Sequence, residues 1–274
     1  MNQLTKVTSH VYWLPPAPPD RPSLCAVVGD RWTLMLDAGA SVAHTRSFLD
    51  ALTGEREKPP SAVVYTHSDW DHVFGGAETR SLVLAHELTA ARLREMARMD
   101  WSDEALDRRV TRGSTPLQHV LDIKAELPSP RRVEIAQADV VFGGALHIDL
   151  GGRTVRVQHV GGDHARDSCV MFVEPDSVLF LGDCLGASPA GTLTTAVLDV
   201  CRTILQFDAA HYIEGHHPAI SSRSDMEELF AKIEAAEHAA REHWTIHAPD
   251  EETAYYLRAF TAAHTPPTGP ESRP

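Results

Sequence analysis

Short apolar runs recur along the chain, and each is bounded by glycine, proline or aspartate. Runs rich in Val, Leu and Ile with such boundaries are typical of buried strands. They predict strands at 33–36, 62–65, 81–85, 140–150, 154–160, 170–173, 178–181 and 210–213. The glycine pairs 75–76 and 143–144 have no nucleotide-binding spacing and indicate turns.

A second pattern, with apolar residues returning every third and fourth position, predicts helices. These cover 43–52, 89–99, 116–125, 194–206, 225–244 and 251–263. Ser222 and Ser224 are alternative N-caps for the helix that starts at 225. The mixture indicates an α/β protein with two sheets covered by helices, rather than one doubly wound sheet.

Two segments depart from the alternation of strands and helices. Residues 86–138 contain a charged helical stretch and a proline-rich link, which predicts a helical insertion or lid. The last residues, 265–274, are poor in apolar side chains and are expected to form a disordered tail. We therefore expect one domain over residues 1–264, and 274 residues can bury a core that needs no disulfide.

Charge and cysteine usage narrow the classes of partner. The net charge of −13 disfavours nucleic acid and membrane surfaces, so a small-molecule substrate is the expected partner and a homodimer stays open. The four cysteines are far apart and lie mostly in apolar runs, which favours reduced core residues. The sequence starts without a secretory signal pattern, and we expect a soluble cytoplasmic protein.

The stretch "YTHSDWDHVFGG", residues 65–76, carries the strongest chemical signal. His67, Asp69, Asp71 and His72 directly follow the apolar run that ends near Tyr65. Positions two apart in extended backbone point the same way, so His67 and Asp69 can face one ion, while Asp71 and His72 face a second. Single residues of these types usually cap helices or bond turns, but four within six positions favour a metal site.

Further histidines and aspartates follow other predicted strands or glycine turns. They are Asp37 in "LMLDAGA", His164 in "GGDHARDS", Asp183 in "LFLGDCL" and His216 in "YIEGHHP". In this order and context, the chain resembles the metallo-β-lactamase superfamily, with "HSDWDH" in place of its HxHxDH motif. The resemblance implies an αββα sandwich with metal ions in a cleft at one edge.

The resemblance also implies a set of ligands. The first ion would be bound by His67, Asp69 and His164, the second by Asp71, His72 and His216, and Asp183 would bridge both. Asp37 would orient the loop behind the ligands, although a strand-end turn explains an aspartate there equally well. Two divalent ions are implied as cofactors, with zinc expected from the family.

Asp69 is the departure from the family pattern, which has histidine there. A carboxylate is a legitimate ligand, but it reaches less far from its Cα than an imidazole and adds a negative charge. Three carboxylates around the ions would lower their Lewis acidity and favour iron or manganese. The flavodiiron branch has a glutamate there, but the 274 residues are not expected to include the flavodoxin-like domain of that branch. Loss of one ion, or of activity, is the plainer alternative.

The leading hypothesis is a hydrolase that uses a metal-bound hydroxide to cleave an ester, thioester, lactone or similar carbonyl substrate, with Asp71 orienting the water or accepting its proton. The alternatives are an iron-dependent oxygenase or redox enzyme of the same fold and a non-catalytic metal-binding member. The motif GxSxG of serine hydrolases is absent from the sequence.

Tyr12 and Trp13 precede a Pro-rich stretch near the N-terminus. They either line the mouth of the cleft or pack on an edge strand, and edge-strand packing is favoured.

Three further residues carry weaker signals. Trp70 either lines the cleft or packs in the core, and packing is favoured. His217 either supports the site or is exposed to solvent. Ser168 is expected to fix the turn that presents His164.

Overall fold

A computed structural model describes residues 3–242, 248 and 250–264. Its first sheet has seven strands in the spatial order β1-β2-β3-β4-β5-β6-β7. They are β1 (Thr5–Lys6), β2 (Val11–Leu14), β3 (Leu24–Val28), β4 (Thr33–Leu36), β5 (Ala62–Val64), β6 (Leu82–His86) and β7 (Val140–Phe142). Strands β4 to β7 are parallel, and the earlier strands pair antiparallel.

The second sheet has six strands in the order β13-β12-β11-β10-β9-β8. They are β8 (Ala145–Asp149), β9 (Thr154–His159), β10 (Cys169–Glu174), β11 (Val178–Gly182), β12 (His211–Glu214) and β13 (Ser221–Ser222). Strands β11 and β12 are parallel, so their carboxyl ends meet at one edge of this sheet.

Helices cover the outer face of each sheet. Before β8 the chain forms α1 (Val42–Gly54), α2 (Trp70–Val73), α3 (Gly76–Thr79), α4 (Glu87–Met96), α5 (Asp103–Thr111) and α6 (Leu117–Glu126). After β11 it forms α7 (Ala196–Ile204), α8 (Arg223–Arg241) and α9 (Glu251–His264). Ser222 is the N-cap of α8, and its side chain and that of Asp225 form a capping box.

Apolar side chains fill three layers. One cluster lies between the sheets and includes Val27, Val64, Val157 and Met171, while two others join each sheet to its helices. Strands with both faces covered lack an alternating pattern, which explains why they read as continuous apolar runs. This arrangement confirms the predicted αββα sandwich.

The structure corrects two expectations about strands. The run 140–150 is not one strand, because a turn at Gly143 and Gly144, whose φ is +70°, sends β7 and β8 into different sheets. Strand β3 was not predicted, and an edge strand was expected at Tyr12 and Trp13 of β2. Tyr12 and Trp13 do not lie on an edge strand, since they pair with β1 on one side and β3 on the other.

The segment 86–138 contains α4, α5 and α6, as the prediction of a helical insertion requires. The single domain over 1–264 stays a prediction. The predicted disordered tail, 265–274, lies outside the described residues, as do the last two positions of the predicted helix 225–244. Along the described chain, no helix combines the length and apolar character needed to cross a bilayer.

Candidate metal centre

The predicted ligands lie on loops that follow strands of both sheets. Asp37 follows β4, the segment from His67 to His72 follows β5, and Asp183 and His216 follow β11 and β12. Loops at the carboxyl ends of parallel strands meet at one edge of a sheet, which is where α/β folds place functional groups. Here that edge gathers seven His and Asp side chains into two adjoining clusters.

The first cluster contains His67, Asp69 and His164. The Nε2 atoms of the two histidines are 3.2 Å apart, and Asp69 Oδ2 lies 3.3 Å from His164 Nε2 and 3.7 Å from His67 Nε2. His67 is fully buried, whereas the side chain of Asp69 is 34% exposed. Asp69 therefore forms the open side of this cluster.

The second cluster contains Asp71, His72, Asp183 and His216. Asp183 Oδ2 lies 3.3 Å from the Nε2 atoms of both His72 and His216, and Asp71 Oδ2 lies 3.0 Å from His216 Nε2. The same Asp183 oxygen is 3.6 Å from His164 Nε2 in the first cluster. Asp183 is thus the carboxylate that faces both clusters.

These spacings fit the ligand shell of a metal ion. Around a tetrahedral ion with ligand distances of about 2.0–2.1 Å, neighbouring ligand atoms are roughly 3.3 Å apart. The contacts within the clusters run from 3.0 to 3.7 Å, and the longest joins Asp69 to His67. The nitrogen and oxygen donors therefore suit divalent ions in both clusters, and the assignment of each residue as a ligand stays a prediction.

Contacts at Nδ1 orient the imidazole rings. His72 Nδ1 donates to Asp37 Oδ2 at 2.7 Å, and because a carboxylate only accepts, Nε2 carries the lone pair for an ion once the ring is neutral. His67 Nδ1 lies 2.9 Å from Thr66 Oγ1, and His164 Nδ1 lies 3.3 Å from the carbonyl oxygen of Ala187.

His216 is oriented in the same way. Its Nδ1 lies 3.5 Å from Asp20 Oδ1, in the loop between β2 and β3. All four Nε2 atoms therefore face the centre of the site.

Asp37 does more than end a strand. It is fully buried, with φ at +56°, and its carboxylate accepts hydrogen bonds from the backbone N–H of Thr66 at 2.6 Å and from Thr66 Oγ1 at 2.7 Å. Together with the bond from His72, these contacts tie β4 to the loop that carries the motif. The geometry favours the orienting role over a simple strand-end turn.

Three supporting residues escaped the sequence analysis. Thr66 stands directly before the motif, so its position was a usable signal, whereas nothing in the local sequence links Asp20 to His216. Gly215 is a third, because a Cβ there would lie 1.9 Å from Asp183 Oδ1. A larger residue at 215 would push the shared carboxylate out of place.

The weaker signals resolve as follows. Trp70 is buried with its ring 5.8 Å from that of Phe74, as the packing interpretation predicts, and it also borders a cavity beside Asp69. His217 is exposed, and its Nδ1 lies 3.0 Å from the carbonyl oxygen of Ala219. Ser168 Oγ donates to the carbonyl oxygen of Ala165 at 2.8 Å, which closes the turn after His164.

The carboxylates control protonation of the histidines. Burial by itself lowers the pKa of His216, but Asp183 and Asp71 raise it to about 11. Burial also lowers the pKa of His164, but the carboxylates of Asp69 and Asp183 outweigh it and raise that pKa to about 9. In the metal-free protein at neutral pH, both imidazoles therefore hold protons where an ion would bind.

Metal binding is consequently expected to release protons. An ion must displace the protons of His164 and His216 at pH 7.5, because both pKa values lie above that pH, and affinity should fall as the pH is lowered. Titration calorimetry with zinc in buffers of different ionisation enthalpy measures the number released. A net uptake of protons, or none exchanged, would contradict the raised pKa values of the two imidazoles.

Comparison with known proteins gives the family. The model of the metallo-beta-lactamase superfamily matches residues 18–255. The alpha subunit of 2,4-dinitroanisole O-demethylase from Nocardioides sp. (strain JS1661) is 23% identical over 207 residues. That match covers 72% of this chain but 53% of the relative, so the chain spans about half the length of this curated protein.

Solved structures show the same fold. The stereoselective inverting sec-alkylsulfatase Pisa1 from Pseudomonas sp. superimposes with a TM-score of 0.66 at 16% identity, covering 93% of this chain and 47% of that one. A metallo-beta-lactamase family protein from Thermus thermophilus superimposes with a TM-score of 0.62 at 19% identity, covering 94% of this chain and 92% of that one. At such identities the similarity concerns the fold alone. With the family match over most of its length, this chain belongs to the metallo-beta-lactamase superfamily.

Proposed function

We propose that this protein is a metal-dependent hydrolase of a small carbonyl substrate, such as an ester, thioester or lactone. The observation that carries the proposal is the pair of adjoining clusters with Asp183 Oδ2 within 3.6 Å of histidines in both. Two divalent ions would be held there, with zinc expected from the family and iron or manganese favoured by Asp69. When bound, such ions polarise a carbonyl oxygen and lower the pKa of a water molecule.

Asp71 is placed to handle the proton of the attacking water. It is buried, and its Oδ2 lies 3.0 Å from His216 Nε2 and 3.3 Å from His72 Nε2, which fixes the carboxylate at the centre. Burial opposes ionisation, but the two histidines hold the pKa of Asp71 well below its usual range, so it stays an acceptor at neutral pH.

The reaction then follows from these positions. The water oxygen forms a bond to the carbonyl carbon, the bond from that carbon to the leaving oxygen or sulfur breaks, and the proton passes by way of Asp71 to the leaving group. Asp37 and Thr66 take no part in bond making. They keep His72 and His67 in the orientation that the site requires.

Elemental analysis of protein purified without added metal, followed by a substrate panel, tests the proposal. We expect up to two transition-metal ions per chain and hydrolysis of at least one ester, thioester or lactone, lost on chelation and restored by metal. Sec-alkyl sulfates and nitroaryl methyl ethers belong in the panel, because two relatives are a sec-alkylsulfatase and an O-demethylase subunit. Metal-free protein without turnover would instead support a non-catalytic member.

The carboxylate of Asp69, at a position where the family has histidine, favours a second candidate, an iron-dependent redox enzyme. Replacing an imidazole by a carboxylate moves the donor set towards oxygen-preferring metals. Tightly retained iron with oxygen consumption, and no hydrolysis across the panel, would support this candidate over the hydrolase.

A further inference from the structure

A cavity of about 150 Å³ opens beside Asp69, on the side of the metal centre that faces the insertion. The motif loop contributes Ser68, Asp69 and Trp70 to its wall, and most of the remaining wall comes from α4, α5, α6 and the turns beside them. A side chain of the first cluster therefore forms part of this cavity, whose shape depends on residues 86–138 and which we call the insertion cavity.

The inner wall of this cavity is apolar. Met96, Leu106 and Ile123 are at most 3% exposed, and Trp70 is 6% exposed. A space of about 150 Å³ is the size of one benzene-sized molecule. The space therefore suits a single six-membered ring rather than a fused pair of rings.

Positive charge lies at the same cavity. Arg109 and Arg92 both line it, and the guanidinium of Arg109 is held 4.6 Å from the centre of the Trp101 ring while it donates to the carbonyl oxygen of Asp100. Arg92 is exposed and bonds Glu95 at 2.9 Å, so Arg109 is the better fixed of the two. Among the described residues that line the cavity, Asp69 is the one acidic side chain.

A second cavity, of about 420 Å³, includes side chains of the metal centre itself, namely His164, Asp183 and His216. Its wall continues to Glu214 and to Tyr255 of α9. Among the described residues that line it there is no arginine or lysine, and the charge of Asp183 would be offset by the ions that it binds. A fixed cationic side chain for an anionic substituent is therefore found at Arg109 rather than in the larger cavity.

We propose that the insertion cavity binds a single-ring, anionic part of the substrate, with the ring among Met96, Leu106 and Ile123 and its negative substituent at Arg109. This inference rests on the proposed hydrolase function and narrows its substrate class to esters that carry a ring with a carboxylate or similar anion. Asp69, which borders both the cavity and the first cluster, places the scissile carbonyl beside the ions.

The test uses the metal-loaded full chain and three acetate esters: 4-carboxyphenyl acetate, phenyl acetate and 1-naphthyl acetate. Binding of 4-hydroxybenzoate, followed by calorimetry, gives a readout that does not depend on turnover. Arg109→Gln removes the charge, and Arg109→Lys restores it without the planar fork. The matched control is Arg108→Gln, since Arg108 is its neighbour on α5, is 57% exposed and does not line the cavity.

We expect kcat/KM to fall in the order carboxyphenyl, phenyl, naphthyl, and Arg109→Gln to weaken 4-hydroxybenzoate binding and the carboxyphenyl preference about tenfold, the size of one hydrogen bond to a charged group. Arg109→Lys should recover part of the 4-hydroxybenzoate affinity and part of the carboxyphenyl preference. Arg108→Gln should change either quantity less than about twofold.

The outcomes separate this inference from the proposed function. Loss of 4-hydroxybenzoate binding in Arg109→Gln alone supports the cavity assignment even if no ester is cleaved, in which case the hydrolase proposal fails by itself. Hydrolysis of phenyl acetate with no preference for the carboxylate, and binding that is indifferent to Arg109, overturns the cavity assignment and leaves the hydrolase proposal standing.

Discussion

Replacing Asp183 with alanine is expected to lower kcat/KM for any substrate that the protein hydrolyses by roughly 1000-fold. Asp183 Oδ2 lies 3.3 Å from His72 and His216 Nε2 and 3.6 Å from His164 Nε2, so its loss would loosen both ion sites at once. Charge stabilisation by metal ions contributes several kcal/mol, and each ~1.4 kcal/mol corresponds to a factor of ten in rate.

The matched comparison is Asp37→Asn, which keeps the shape of a buried side chain at a positive φ that asparagine tolerates. Asp37 acts through His72 and Thr66, so we expect a smaller loss of about 10- to 100-fold. Asp199→Ala, which removes a surface carboxylate paired with Arg202, should leave activity unchanged. Asp183→Asn serves if the alanine variant does not fold.

Metal content and thermal unfolding are measured on each variant beside kinetics. The expected result is lost metal with a folded chain in Asp183→Ala. Activity that stays near the parent value and resists chelators would show that the proposal of two ions is wrong, together with the ligand assignment.

The ligand loops could be predicted because their signals are local. His67, Asp69, Asp71 and His72 directly follow an apolar strand, and Asp183 follows another, so sequence spacing alone places them at strand ends. The resemblance to the superfamily indicated which of these loops, from the two sheets, meet at the same ion. Such pairing is a property of topology that periodicity cannot supply.

Strand β3 and the interior position of β2 escaped prediction for a physical reason. Both β2 and β3 are buried on both faces, which removes the alternating pattern, and the prolines between them resemble a linker. That loop nevertheless brings Asp20 to within 3.5 Å of His216 from the other end of the chain. Contacts of this kind depend on the folded packing of both sheets, so the sequence contains no nearby signal for them.

The insertion cavity shows the same limit. Helical periodicity predicted α4 and α6, and the charged stretch indicated α5, but it did not show that Leu106 and Arg109 would line a space next to Asp69. The relative placement of three short helices is decided by which side chains fit together, and this information is spread over the whole segment.

Replacing Asp69 with histidine is expected to raise zinc occupancy of the first cluster. The Asp69 oxygen is 3.7 Å from His67 Nε2, longer than the roughly 3.3 Å between neighbouring ligands of a tetrahedral zinc ion, because a carboxylate reaches less far from its Cα. An imidazole would close this gap, and the cavity beside Asp69 leaves room for the larger ring.

In the parent protein we therefore expect two unequal zinc affinities that differ by about tenfold or more, a free-energy difference of at least ~1.4 kcal/mol. The weaker site should be the one formed by His67, Asp69 and His164. Dialysis against buffers of fixed free zinc, followed by elemental analysis, measures both occupancies, and the same protocol with iron and manganese measures the preference for oxygen ligands.

Asp69→Asn separates reach from charge, because it keeps the length of the side chain and removes its negative charge. If reach limits zinc binding, Asp69→His raises occupancy and Asp69→Asn lowers it, since the amide oxygen is the poorer ligand and no closer to the ion. If charge were the limit, both variants would bind zinc better than the parent. Equal and tight zinc binding at both sites of the unmodified protein would contradict the prediction, and it would mean that the loop adjusts to the shorter arm without loss of affinity.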